Sequence, residues 1–241
     1  MMSPLIWRCT TATDVGKRRK INEDALLERN QEGLWLVADG MGGHAAGDIA
    51  SQAVVHACRQ LSLEGTLIDR LDRLEDTLID VNDQLRAYAE EHLQGRTMGT
   101  TALALMAWER WALCVWVGDS RLYRWRQDEL SQISRDHSMW QEMRDGGADE
   151  KALSMEPQLK NVITRAVGGQ LELFADVQLL QLESADRFLL CTDGLYNEVE
   201  NEDIAGILSG GGVDEAGQRL MNHALQRGAR DNVSLIVVEV L

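Results

Sequence analysis

The order of elements legible in the chain predicts an α+β fold, with antiparallel sheets layered under helices. Three observations carry this. Short apolar strands crowd together in the middle of the chain, two amphipathic helical stripes precede them, and a third helix stands near the end. The steady strand–helix alternation of a parallel doubly wound sheet is missing.

Residues 5–13 mix apolar side chains with threonines and read as a strand. Residues 25–28 and 33–38 read as a hairpin about Arg29, Asn30, Gln31 and Glu32. A helix follows the glycine-rich stretch after Asp39. Gly47 or Asp48 can cap it, and Ile49, Ala53, Val54, Ala57, Cys58 and Leu61 recur at helical spacing. Leu67, Leu71, Leu74, Leu78, Val81 and Leu85 form a second stripe, a long amphipathic helix facing its own core rather than a partner coiled coil. Residues 100–108, 111–117, 121–126 and 130–133 are short, aromatic-rich and closely connected, and read as consecutive antiparallel strands. The polar stretch 136–157, with Gly146 and Gly147, holds one or two short helices. Strands at 177–182, 187–191 and 233–240, and a helix at 214–227 behind the flexible 209–212 loop, complete the chain. There is no internal repeat or low-complexity linker, so 1–241 reads as one domain, a size that suits one.

Composition narrows the function. The chain carries 39 acidic and 24 basic side chains, a formal net charge of −15, which argues against nucleic acid as a partner. That excess either attracts divalent cations or only keeps the protein soluble. Cys9, Cys58, Cys114 and Cys191 are far apart, form no CxxC pair, and read as reduced thiols. No run approaches the ~20 apolar residues that span a bilayer, and the N-terminus lacks a signal peptide's apolar stretch. A cytoplasmic protein with no membrane contact is expected.

A repeated pattern carries the functional signal. Apolar strands run out and an aspartate appears beside glycine, serine or asparagine: Asp39-Gly40, Gly118-Asp119-Ser120, Asp193-Gly194, and Asp231-Asn232 before the last strand. Asn22-Glu23-Asp24 opens another strand. One such aspartate is ordinary turn chemistry. Several at converging strand ends would repel one another unless cations fill the cluster. The candidate ligands are carboxylates and a backbone carbonyl, a hard oxygen set that suits Mg²⁺ or Mn²⁺. Gly40 removes a side chain where backbone would have to approach a metal.

At these residues the chain resembles the metal-dependent serine/threonine protein phosphatases of the PPM, or type 2C, family. The motifs run nearly end to end: Asp14 to Arg19 with Asn22-Glu23-Asp24; Val37 to His44; Met98-Gly99-Thr100-Thr101; Val117 to Arg121; Asp136-His137-Ser138; Ile163 to Gly168; Cys191 to Leu195; and Arg230 to Ser234. The resemblance implies a four-layer α-β-β-α sandwich, two antiparallel sheets flanked by helices, with a metal site at one edge. It implies two core ions, Mg²⁺ or Mn²⁺: Asp39 bridges them, Gly40 offers its carbonyl to one, and Asp193 and Asp231 bind the other. Glu23 matches an acidic residue at the second metal, directly or through water, and Asp24 lies close by. Asp119 matches a ligand of a third, weaker ion that shares Asp193, with Asp136 a poorer candidate there.

Such ions would lower the pKa of a bound water towards ~7 for in-line attack on phosphorus. Arg19, four residues before Glu23, matches the phosphate clamp, and a planar guanidinium suits bidentate contact. His44 has the titration range of a general acid for the leaving oxygen. His137 is expected to organise the outer site; His56, His92 and His223 read as surface or helix residues. Residues 138–159 match the family's variable flap, with Asn161, Thr164 and Arg165 at its base; Glu156-Pro157 departs from the His-Pro of many relatives. Asn232 is expected to orient Asp231, while Thr100 and Ser120 read as packing and turn residues. The partners implied are phosphorylated Ser/Thr proteins and an opposing Ser/Thr kinase, and the chain is expected to be a monomer. Two alternatives stand beside this: a small-molecule phosphohydrolase, and a catalytically silent phosphoprotein-binding module.

Overall fold

The computed structural model describes residues 6–42 and 46–241. Among them, strands form two antiparallel sheets. The first has the order β1 (Trp7–Asp14), β11 (Val233–Val240), β10 (Arg187–Cys191), β7 (Arg121–Arg126), β8 (Glu129–Gln132). The second has the order β2 (Asp24–Arg29), β3 (Leu34–Met41), β5 (Ala102–Trp108), β6 (Trp111–Val117), β9 (Asp176–Gln181). The two-residue β4 (Gly99–Thr100) pairs with the end of β3.

The period-2 alternation of a strand explains the layers. In β11, Ile236, Val238 and Val240 point between the sheets, where they meet Trp35, Leu105, Cys114, Phe188 and Leu190. Val233, Leu235 and Val237 point outward to helices α6 (Asn201–Leu208) and α7 (Val213–Arg227), against Ile204 and Leu220. With both faces covered, that strand reads as a near-continuous apolar run, interrupted only by Ser234 and Glu239. On the second sheet, Leu27, Leu36 and Ala104 pack under α1 (Ala46–Arg59) and α2 (Leu67–His92) through Val54, Leu74, Leu78, Val81 and Leu85. The result is the expected α-β-β-α layering. The α2 stripe faces this core, and Thr66 and Asp69 close its N-terminus as a reciprocal capping box.

Four expectations change. First, β6 and β7 are consecutive in sequence but lie in different sheets. The chain crosses between sheets at Gly118, whose φ of +106 and 2.5 Å approach of a hypothetical Cβ to Thr101 Cγ2 admit only glycine. Second, the 100–108 strand is split, because Thr101 leaves the ladder between β4 and β5 to bond the backbone of Asp39. Third, Gly47 and Asp48 do not precede α1 but lie in its first turn. Fourth, the one-turn α5 (Asp193–Tyr196) and α6 stand where no helix was expected. The 136–157 stretch does hold two short helices, α3 (Met139–Asp145) and α4 (Glu150–Ser154). All four cysteines are free. Burial pushes the thiols of Cys9 and Cys58 up to about 12, so they stay protonated and inert. Among the described residues no helix is long and apolar enough to cross a membrane.

Candidate metal centre

The topology gathers the acidic strand ends on one rim. Antiparallel pairing sets Asp24 at the start of β2 opposite Asp39 near the end of β3. Pairing of β10 with β11 brings Asp193 beside Asp231: Thr192 N–H donates to the Ser234 carbonyl at 3.1 Å, and a Cβ on Gly194 would lie 1.9 Å from the Asn232 carbonyl oxygen. The sheet-to-sheet crossing after β6 delivers Asp119. A cleft of about 380 Å³ between the sheet edges is lined by Arg19, Glu23, Asp39, Gly40, Asp119, Asp193 and Asp231, with Asn161 and Ile163 on its far wall.

The cleft is electrostatically frustrated. Burial, then the charges of Asp24, Asp193, Asp119 and Asp231, hold the Asp39 carboxyl well above the ordinary range. Burial and then Asp193 push Asp119 to about 8. Burial pushes Asp24 to about 7 against the hydrogen bond from Thr192 Oγ1 at 2.9 Å, and burial with Asp231 pushes Asp193 to about 6. Glu23 Oε1 and Asp24 Oδ1 are buried and have no hydrogen-bond donor. Orphaned acceptors among mutually repelling carboxylates are the donor set a hard dication satisfies. No three of the described His, Cys, Asp and Glu side chains close round one point as a cage. The carboxylates instead face one another across the cleft, which suits a cation that keeps some of its waters.

The acidic side chains are held by a second set of residues. Asp39 N–H donates to Thr101 Oγ1, while Thr100 Oγ1 and Thr101 N–H donate to the Asp39 carbonyl, each at 2.9 Å. Thr101 Oγ1 lies 2.7 Å from Ser120 Oγ, all three hydroxyls being buried. Thr100 and Ser120 are therefore not mere packing and turn residues: they belong to a hydroxyl chain joining Asp39 to the loop of Asp119. Sequence reasoning missed Thr101, since two adjacent threonines heading an apolar strand do not say which distant backbone they meet. Tyr196 OH donates to the Asp119 carbonyl at 3.0 Å. His137 holds the same loop: Nδ1 accepts from Gly118 N–H at 3.0 Å, the ring stacks on Trp116, and Nε2 lies 3.3 Å from the Asp176 carboxylate. Desolvation lowers its pKa, which favours the neutral ring that accepts this bond.

Other readings need correction. Asn232 meets the Asp231 carboxylate through its backbone, whose N–H donates to Asp231 Oδ1 at 2.8 Å, while its side chain serves another loop. Its amide donates to the Val15 and Ile21 carbonyls and its oxygen accepts from Glu23 N–H at 2.8 Å, so it pins the loop that carries Arg19 and Glu23. Gly40 has a nearer reason than metal approach, since a Cβ there would lie 2.0 Å from the Gly47 carbonyl oxygen and 2.6 Å from that of Glu23. Asp136 stands outside the cleft, held by Arg121 at 2.7 Å. Arg19 reaches the cleft mouth, where its guanidinium donates to Asp231 at 2.7 Å. His44 lies outside the described residues. His56, His92 and His223 lie on α1, α2 and α7. Thr164 N–H donates to the His137 carbonyl at 2.9 Å and Arg165 to Asp176 at 2.8 Å, so both fasten the base of the 138–159 segment, whose end brings Asn161 to the cleft.

The sequence and the fold are similar to those of known proteins. The protein phosphatase 2C family profile matches residues 16–236. The serine/threonine phosphatase stp of Listeria innocua is 32% identical over 235 residues, covering 94% of this chain and 93% of that protein. Among solved structures, PppA, described as a key regulatory component of T6SS in Pseudomonas aeruginosa, superposes with a TM-score of 0.90 at 38% identity, covering 99% of each chain. The catalytic domain of the serine/threonine protein phosphatase PstP, in complex with two manganese ions, superposes with a TM-score of 0.87 at 34% identity, covering 98% of this chain and 99% of that one. The chain belongs to the protein phosphatase 2C family of serine/threonine protein phosphatases.

Proposed function

We propose that the cleft binds two divalent cations, Mg²⁺ or Mn²⁺, and that the chain uses them to hydrolyse phosphoserine and phosphothreonine in proteins, reversing a Ser/Thr kinase. One observation carries this: acidic side chains from separate strand ends line one cleft, and a buried oxygen of one of them, Glu23 Oε1, lacks any donor, as does Oδ1 of the adjacent Asp24. The manganese complex of PstP supports the choice of ions. Asp39 would bridge the pair, with the Gly40 carbonyl on one ion and Asp193 and Asp231 on the other. Glu23 would complete the set directly or through water, with Asp24 the buried charge behind it. Asp119 and Asp193 would serve a third, weaker ion.

When bound, the ions supply a water of lowered pKa and positive charge opposite the phosphoryl oxygens. The chain's own residues do the rest. Arg19 turns from Asp231 to the phosphate oxygens, a bidentate contact that fixes the ester for in-line attack. His44 is the proposed donor of a proton to the leaving seryl or threonyl oxygen. Asn161 and the 138–159 segment form the flap wall against which the substrate lies. Residues 1–241 act as one catalytic domain, working as a monomer in the cytoplasm. The complete acidic set speaks against a silent binding module.

The test is release of inorganic phosphate from a phosphothreonine peptide with Mn²⁺ present. Wild-type turnover should vanish on chelation, and Asp193→Asn should lose at least about 100-fold, more than the ~10–100-fold of an outer-shell partner, while melting cooperatively. Near-normal turnover by Asp193→Asn would remove the metal assignment.

A further inference from the structure

A second cavity, of about 260 Å³, adjoins the metal cleft, and Asn161 lines both. Its walls come from three parts of the chain: β7 with Asp136, the base of the flap, and the α5–α6 corner. The cavity is smaller than the ~300–1,000 Å³ that encloses a drug-sized ligand, and it suits a single side chain.

Its charges divide into neutralised and free. Arg121 grips Asp136 through Nε at 3.0 and 3.1 Å and Nη2 at 2.7 Å, donates to Tyr123 OH at 2.9 Å, and lies 3.7 Å above the Tyr196 ring. That pair is internally satisfied and offers no net charge to a visitor. Glu200 and Glu202, at the start of α6, have no ion-pair partner among the described residues. Lys160 is the one remaining cation of the lining, and its ammonium lies 5.2 Å from the Trp140 ring. The lining therefore holds two unpaired carboxylates and one lysine already placed over an aromatic face, and the cavity is net acidic.

The spacing ties the cavity to the substrate. Asp193 lines the metal cleft, while Tyr196 and Asn197, about one helical turn or ~5.4 Å further on, line the cavity and tie it to the cleft, Asn197 Nδ2 donating to Asp193 Oδ2 at 3.2 Å and Tyr196 OH to the Asp119 carbonyl at 3.0 Å. Side chains two positions apart in an extended peptide lie ~6.6 Å apart on the same side. Resting on the phosphatase reading above, we infer that this cavity is a specificity pocket taking a basic side chain of the phosphoprotein, two residues from the phosphorylated one, through Glu200 and Glu202. A substrate phosphate held by cations and Arg19 and a substrate base held by these carboxylates would then be read together.

The experiment compares phosphothreonine peptides that differ only two residues before the phosphothreonine, or in a second series two residues after it, carrying Arg, Ala or Glu. In one series the Arg peptide should show a KM about threefold to tenfold below that of the Ala peptide at similar kcat, the size of two solvent-exposed ion pairs. The double variant E200Q/E202Q should bring the Arg-to-Ala ratio of kcat/KM to about one. Equal kcat/KM for all peptides, a preference for Glu, or a preference kept in the double variant would overturn the pocket and leave the phosphatase reading standing. Turnover of no peptide in either series would overturn both.

Discussion

At the scale of single residues, the site depends as much on neutral hydroxyls as on carboxylates. Thr101 accepts the Asp39 N–H and meets Ser120, so Thr101→Val leaves a buried amide and a buried hydroxyl without partners. The expected cost is ~1–3 kcal/mol of stability, read by denaturant unfolding, together with ~10–100-fold weaker Mn²⁺ binding. Unchanged metal affinity in a folded variant would return Thr101 to the core. The ligand candidates themselves were legible in the sequence because each aspartate stands beside a small or polar residue where an apolar run meets the rim. The brace was not legible, because the contact of Asp39 with Thr101 spans 62 positions and that of Asn232 with Glu23 spans 209. A hydroxyl beside a strand carries no pattern that says which distant backbone it will meet. Gly40 shows the same limit: its need to be glycine comes from Gly47 and Glu23 folding onto it.

At the scale of elements, periodicity revealed what was long and half-buried. The α2 stripe was read correctly because it buries one clear face, and the hairpin of β2 and β3 because a short polar loop separates two apolar runs, β3 being buried on both faces. α6 was missed because eight residues with three buried apolar side chains and an internal glycine make a weak signal. That glycine, Gly206, has nothing within 4 Å of a hypothetical Cβ, no positive φ, and a place inside the helix. Gly206→Ala should therefore raise stability by ~0.5–1 kcal/mol in thermal or denaturant unfolding, through lower entropy of the unfolded chain and better helix propensity. A loss would show that α6 needs the glycine for a reason its contacts do not reveal. The assignment of β6 and β7 to different sheets was also hidden, since the turn between them is as short as a hairpin and only the steric demand at Gly118 marks the crossing.

At the scale of the whole molecule, the sandwich holds an acidic rim in place against its own repulsion, and the folded chain should register that strain. Asp24, Asp119 and Asp193 have folded pKa values raised to about 7, 8 and 6, above the ~3.9 of an unfolded aspartate. A raised carboxyl contributes stability that is complete below about pH 4 and is lost as pH climbs through the folded value. The metal-free protein should accordingly melt at a lower temperature at pH 8 than at pH 5, and Mn²⁺ should restore stability at pH 8 far more than at pH 5. A metal-free melting temperature that is flat or rising over that interval would contradict it. Calorimetric titration of Mn²⁺ into the metal-free chain and into Asp39→Asn goes furthest to the root of the account. Saturation with at least two ions per wild-type chain, and loss of that binding in a variant that still unfolds cooperatively, is the predicted result; no binding, or the same isotherm in both proteins, would contradict it.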